Sequence, residues 1–494
     1  MRFITLLLLF LSLQSFSQSN SNDYYNETHR PQFHFTPESK WMNDPNGLVY
    51  YKGKYHLFYQ YYPKDIVWGP MHWGHASSTD LFHWEHHPIA LYPDKLGNIF
   101  SGCAVIDKKN TAGFGKDAMI AIFTYHNDDL WKKGYRNTES QAIAYSLDEG
   151  LTWTKYSGNP VIKNSSERDF RDPNVFWNDE INAWNMVLAS GDRVKIFASD
   201  NLKDWKYKSD FKPNPDISKI GTWECVDLFK MNVKTENKEK WVMIVNHDKY
   251  TPNGGSGTRY FIGDFDGEVF TNTQSSKWLD YGTDFYAGIT FYNAPENKRI
   301  LISWMSNWLY AQKTPTKVWR SAMTLPRELE LDKNDEGYFL IQKLAQGFDK
   351  ILDTKISKSK IKLPYSAKKL NLSQAEISFN FEGKQMSLVF SNNKNESIKM
   401  NLKNGVFSLD RSQSGITNFS DKFAESTQTM LVDEKITDFQ IILDRASMEI
   451  LLNNGKYSMT TIFFPNEPFS NLKIESNENA KITNFKINNV QKTW

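Results

Sequence analysis

Five stretches of this chain share one plan: a polar or small residue, a strand-like apolar run, then a second apolar run. Asp44 stands in Trp41-Met-Asn-Asp-Pro-Asn-Gly47, Asp172 in Arg171-Asp-Pro-Asn174 and Glu224 in Trp223-Glu-Cys225. Residues 48–51, 175–177 and 226–229 follow as first runs, and 55–59, 184–189 and 241–245 as second runs. Two more units keep the shape without the acid, 101–106 with 119–123 and 286–292 with 299–304. With Asp44, Gly102, Asp172, Glu224 and Ala287 as register marks, the intervals are 58, 70, 52 and 63 residues. Repeats of ~60 residues made of short strands predict the blades of a five-bladed β-propeller. Equivalent strand starts in such a ring face one end of its axis. Three acids distant in sequence should therefore meet in one funnel.

A second mark recurs in the same register. Ala76-Ser-Ser-Thr-Asp-Leu-Phe-His-Trp84, Ala144-Tyr-Ser-Leu-Asp-Glu-Gly-Leu-Thr-Trp153 and Ala198-Ser-Asp-Asn-Leu-Lys-Asp-Trp205 each read as a strand, a polar turn and a Trp. The Ser and Asp residues suit side-chain-capped turns, and the Trp suits packing between blades. Trp84, Trp153 and Trp205 are assigned to the fold.

The chain's 494 residues exceed one ordinary core. Residues 1–17 have a basic start at Arg2, an apolar stretch over 4–13 and a small-x-small site at Ser15-Phe-Ser17, the form of a cleaved export signal. That stretch is too short to span a bilayer, so the mature chain is expected in the periplasm or outside the cell. Residues 18–30 are polar and read as a flexible lead-in, and 31–335 as the propeller. Lys-rich residues 336–354 read as a linker. Over 355–494, period-two apolar runs broken by Gly, Asn and Asp predict an antiparallel β-sandwich, so the fold class is all-β.

A net charge of +2 without a long basic run gives no reason to invoke nucleic acid. Cys103 and Cys225 are the only cysteines and read as free buried thiols. His72, His75, His83, His86 and His87 fall within 16 residues, but no Cys or carboxylate completes a ligand set with them, so neither metal nor cofactor is assigned.

Two Asp and one Glu brought together without metal ligands fit glycoside hydrolysis, where one carboxylate attacks carbon and another protonates the leaving oxygen. Pro45 and Pro173 predict extended backbone at Asp44 and Asp172, because the residue before proline avoids the helical region. Arg171 is expected to pair with Asp172 and keep it ionised. Glu224, without an adjacent cation and between Trp223 and Cys225, is expected to have a raised pKa suited to an acid.

These motifs together resemble glycoside hydrolase family 32, the β-fructosidases. The resemblance rests on Trp41-Met-Asn-Asp-Pro-Asn-Gly47, Phe100-Ser-Gly102, Arg171-Asp-Pro173 and Glu224-Cys225. Trp304-Met-Ser-Asn-Trp308, Trp319-Arg-Ser-Ala-Met-Thr-Leu-Pro-Arg-Glu328 and Leu443-Asp-Arg-Ala-Ser-Met-Glu-Ile450 extend it. Cys103 departs from the small residue expected after Phe-Ser-Gly. The resemblance implies a propeller followed by a sandwich, and retaining hydrolysis of fructosyl links in fructan or sucrose. It implies Asp44 as nucleophile, Glu224 as acid/base and Asp172 as transition-state stabiliser, with Asn43, Gln60, Trp68, Ser101 and Arg171 around the sugar. Trp68, Phe100 and Trp304 are expected as apolar pocket walls.

A fructosyltransferase, an endo-acting fructanase, an arabinan-cleaving furanosidase and a non-catalytic sugar-binding propeller are the alternatives. Val67-Trp-Gly-Pro-Met-His-Trp-Gly74 resembles exo-acting fructanases more than plant-type invertases, which implies release of fructose from chain ends. Substrate choice is assigned to rim loops 62–73, 127–137 and 249–258.

Overall fold

The computed structural model describes residues 24–213, 221–477 and 479–494. The export signal expected over 1–17 lies outside them. Five antiparallel sheets follow one another along the chain. Their first strands are Lys40–Tyr51, Asn98–Asp107, Phe170–Asn178, Trp223–Asn232 and Tyr286–Thr290, and these neighbour one another around a ring that closes from the fifth blade to the first. Closure is reinforced by a parallel pairing of Lys40 and Trp41 with Trp319 and Arg320. The chain is a five-bladed propeller followed by a β-sandwich.

Each first strand is irregular where the repeat has its register mark. The ladder slips between Met42 and Pro45, Phe100 and Gly102, Glu224 and Asp227, and Tyr286 and Ile289, and opposite Asp172 between Val187 and Ala189. A bulge adds one residue, turns the strand and re-aims the side chain beside it. Asp172, Cys225 and Ala287 accordingly have φ of 64°, 44° and 56°. Asp172 is thus left-handed and not extended as its proline predicts; the bulge imposes the conformation.

The outer turns repeat at atomic detail. Trp84, Trp153 and Trp205 each donate an indole N–H to the carbonyl three residues earlier, of Leu81, Gly150 and Leu202, at 2.9, 2.9 and 3.0 Å. Ser78, Ser146 and Ser199 bond Asp80, Asp148 and Asn201 two residues on.

Residues 337–344 correct the expected linker of 336–354. Gly337–Leu344 pairs with Arg327–Asn334 as the last strand of blade V, because Phe339, Leu340 and Ile341 bury against that blade's core. The sandwich begins at Leu352–Ile361, and its two six-stranded sheets enclose one apolar core. Residues 24–30, expected as part of a flexible lead-in, are pinned. The Arg30 guanidinium is fully buried, bonds Glu27, Thr36 Oγ1 and the Pro37 carbonyl, and lies 4.2 Å from the Trp319 ring centroid. Tyr25 stacks on Trp494 at 4.5 Å.

The seam between the two parts is a buried ionic lattice. His34 bonds Asp444 and Glu449, both at 2.8 Å, and Arg327 bonds Glu449 at 2.6 Å and Asp280 at 3.1 Å. Arg411 reaches Asp284 at 2.6 Å. The late motifs around Arg327 and Glu449 therefore join the parts and stand away from the acids. This fixes the sandwich against the flank of the propeller.

Candidate active site

Asp44, Asp172 and Glu224 come from the bulged starts of blades I, III and IV and converge on one cavity of about 710 Å³. Asn43, Gln60, Trp68, Phe100, Ser101 and Arg171 line the same cavity, as the sequence predicts. Trp304 does not. It is fully buried behind Trp308, with ring centroids 4.8 Å apart, and also packs on Trp41 and Tyr286. Trp308 supplies the aromatic wall in its place. Of the rim loops, 127–137 and Trp68 reach the cavity, whereas 249–258 faces the sandwich: Asn253 bonds the Thr429 carbonyl at 2.8 Å.

Asp44 is held by three donors. Ser101 Oγ donates at 2.7 Å, Asn43 Nδ2 at 3.0 Å and Cys225 Sγ at 3.5 Å, and Asn43 is itself fixed by the Trp41 indole at 2.7 Å. Asp172 accepts the backbone N–H of Cys225 at 3.0 Å and its thiol at 3.6 Å. One buried thiol thus bridges Asp44 and Asp172, which bounds their separation by the two contacts laid end to end. Both cysteines are free, and Cys225 has this bridging place because it follows Glu224 on the bulge. Sequence reading missed it.

Glu224 is not the unpaired acid expected from its neighbours. Arg171 donates to Glu224 Oε1 at 3.0 Å, and the Tyr286 hydroxyl donates to Oε2. Arg171 also pairs with Glu139 at 2.8 Å and Asp169 at 3.0 Å, so one guanidinium serves three carboxylates. It makes no ion pair with Asp172. Neighbouring side chains on a strand leave by opposite faces, and the bulge turns Asp172 towards Cys225. Glu139 and Tyr286 are site residues that the sequence reading lacks. Tyr286 was legible as the neighbour of register mark Ala287; Glu139 has no motif around it.

Burial raises Asp44, against its three hydrogen bonds. Burial, and then the charge of Glu224, push Asp172 up to about 8, with Arg171 opposing. Burial also raises Glu224; Arg171 and Tyr286 oppose and the charge of Asp44 adds to it. Three acids crowded in one floor share a proton near neutrality, and that proton belongs to the cluster. Burial would raise Glu139 too, but Arg171 and His126 outweigh it and hold Glu139 at about 2. The site therefore sets the donor-rich carboxyl of Asp44 beside two acids raised above their ordinary range, a pairing that suits nucleophilic attack with general acid catalysis.

Residues 34–343 match the Glycosyl hydrolases family 32 N-terminal domain and residues 341–489 the Glycosyl hydrolases family 32 C terminal. The chain belongs to glycosyl hydrolase family 32. It is a glycosidase. A levanase of Bacillus subtilis is 41% identical over 98% of this chain and 74% of its own length. An extracellular exo-inulinase of Aspergillus niger is 36% identical over 95% and 96%. The crystal structure of exo-inulinase from Aspergillus awamori superposes with a TM-score of 0.84 at 33% identity, covering 95% of this chain and all of that one. A β-fructofuranosidase from Schwanniomyces occidentalis complexed with fructosyl-erythritol gives 0.84 at 32%, over 94% and 98%.

Proposed function

We propose that the chain is a retaining, exo-acting fructan β-fructosidase that removes terminal fructose from levan or inulin and also accepts sucrose. The convergence of Asp44, Asp172 and Glu224 on the closed floor of one cavity carries this reading. Asn43, Gln60 and Ser101 are buried around Asp44, so the floor is a dead end that suits the end unit of a chain. Levanase and exo-inulinase relatives over nearly the whole chain support the substrate class.

In the first step Asp44 attacks the anomeric carbon while the bond to the leaving oxygen breaks and Glu224 gives that oxygen a proton. Asp44 takes the nucleophile's part because Ser101 and Asn43 hold and aim its carboxyl, and their hydrogen bonds oppose the rise that burial causes. Water then attacks the fructosyl-enzyme, Glu224 takes the water proton, and Asp44 leaves as carboxylate. Asp172, held by Cys225, stabilises the oxocarbenium-like transition state through the fructose hydroxyls. The carboxyls of Asp44 and Glu224 should stand about 5–5.5 Å apart, the spacing of retaining enzymes. Export after cleavage near Ser17 fits this role and is checked by the N-terminus of the mature protein.

Glu224→Gln keeps the shape but cannot donate, so kcat on fructans should fall about 10²–10⁴-fold. An activated aryl fructoside needs little protonation; its burst of leaving group should survive, followed by slow turnover. Equal loss on both substrates would refute the acid/base role. Digests of levan, inulin and sucrose should yield fructose alone from the fructans, and a ladder of oligomers would overturn exo action.

A further inference from the structure

One long connection builds a large part of the catalytic cavity's outer wall, beside Trp68, Arg168 and Gln312 from other loops. Strands Ala118–His126 and Glu139–Ser146 of blade II remain paired up to His126 opposite Glu139. Residues 127–138 link them, where a hairpin needs about 2–5. This segment is not slack. Asn127 N–H donates to the Thr138 carbonyl at 2.8 Å and its side chain accepts from Leu130 N at 3.0 Å. Gly134 N–H closes on the Trp131 carbonyl at 2.9 Å, and Tyr135 N–H on that of Leu130 at 3.1 Å.

The bonds fix a shape whose largest side chains face out. Trp131 is 62% exposed and Tyr135 57% exposed, yet both line the cavity. No hydrogen bond or ring contact joins either side chain to another described residue. The other aromatic walls differ: Trp68 and Phe100 meet edge to face at 6.1 Å, Phe100 stacks on His126 at 4.4 Å, and Trp308 packs on Trp41 and Trp304. Those rings are held by the fold; Trp131 and Tyr135 offer their faces to whatever enters.

Direction follows from the chemistry proposed above, on which this inference rests. Glu224 protonates the oxygen that joins the first sugar to the rest of the chain. Since the floor is closed, the rest must leave outward, through a mouth that residues 127–138 share with Trp68, Arg168 and Gln312 and to which they bring two unpartnered rings. We infer that Trp131 and Tyr135 form the platform on which sugar rings of the departing chain stack, so that this segment sets the preference for long fructans over sucrose. Flat apolar faces bury sugar C–H surface without needing a particular hydroxyl pattern, which suits a polymer bound in successive positions. Sucrose offers only one leaving ring and gains less from the platform.

The test is the ratio of kcat/KM on inulin or levan to kcat/KM on sucrose. In the double variant Trp131→Ala, Tyr135→Ala that ratio should fall about tenfold or more, mainly through KM, since two lost stacking contacts of this kind give that order. Trp131→Phe with Tyr135→Phe should hold the ratio within about twofold of the parent, because rings remain. An unchanged ratio in the Ala variant, equal losses on both substrates, or the same loss in the Phe variant would overturn the platform. A parent enzyme that cleaves sucrose but no fructan would instead overturn the fructan reading, and the platform with it. Fructan turnover with an unchanged ratio sinks the platform alone.

Discussion

Two buried charge clusters in this molecule use the same ingredients to opposite ends. At the seam, His34 and Arg327 hold Asp444, Glu449 and Asp280 in complementary pairs. Burial works against His34, but its two carboxylate bonds carry it up to about 9; Arg327 and His34 outweigh burial at Glu449 and hold it at about 2. At the catalytic floor one Arg171 faces Glu224, Glu139 and Asp169, while Asp44 and Asp172 have no cation of their own. Burial raises Asp44, Asp172 and Glu224 there, and a neighbouring carboxylate charge adds to the last two, whereas Arg171 outweighs burial at Glu139 and holds it low. A fully paired cluster locks two structures together; an under-paired one keeps a proton ready to move.

One conservative change made in each cluster separates the two. Asp172→Asn should lower kcat by about 10²–10³-fold, the cost of removing one group that stabilises transition-state charge. It should not destabilise the fold. Asp172 is raised when folded, so below its unfolded value the acid carries no penalty, and a penalty grows as pH rises to about 8. The variant's unfolding temperature relative to the parent should therefore rise over that window; a lower one at pH 8 would break the contrast.

Glu449→Gln should do the reverse. It leaves Arg327 and His34 short of a buried partner, at a cost of about 3–5 kcal/mol in urea unfolding. Chemistry per folded molecule should be kept. The parent's stability should also depend on pH at the seam. His34 is raised, so its contribution is complete below about 6.5 and is lost as pH rises to about 9. Glu449 is lowered, so its contribution is complete above about 4.5 and is lost as pH falls to about 2. Stability from the seam should peak between about 4.5 and 6.5, and Glu449→Gln should flatten the acid side. A parent most stable at pH 9 would contradict the assignment.

The smallest expected effect links the clusters' logic. Glu139 takes a share of Arg171, so Glu139→Gln should turn more of that charge on Glu224, which otherwise faces the Tyr286 hydroxyl and Asp44. Glu224 would then lose its proton earlier, and the basic limb of the kcat/KM profile should move down by about one pH unit. A lower maximum with an unmoved limb would make Glu139 only a packing residue.

Sequence alone determined which acids meet. Five register marks at ~60-residue spacing placed Asp44, Asp172 and Glu224 at equivalent strand starts, because a ring of blades turns equal positions in the repeat towards one end. Alternating runs likewise determined the sandwich. The tertiary structure decided what each acid touches. Strand side chains alternate faces, and one extra residue reverses the alternation, so the bulge at the register mark decides whether Asp172 meets Arg171 or Cys225, while the turn after strand Arg299–Met305 brings Trp308 to the cavity in front of Trp304. No residue pattern displays that insertion. Glu139, His34 and the lead-in of Arg30 were illegible for a related reason: their partners Arg171, Glu449 and Trp319 lie far along the chain, and only the closed ring with its docked sandwich brings them within bonding distance.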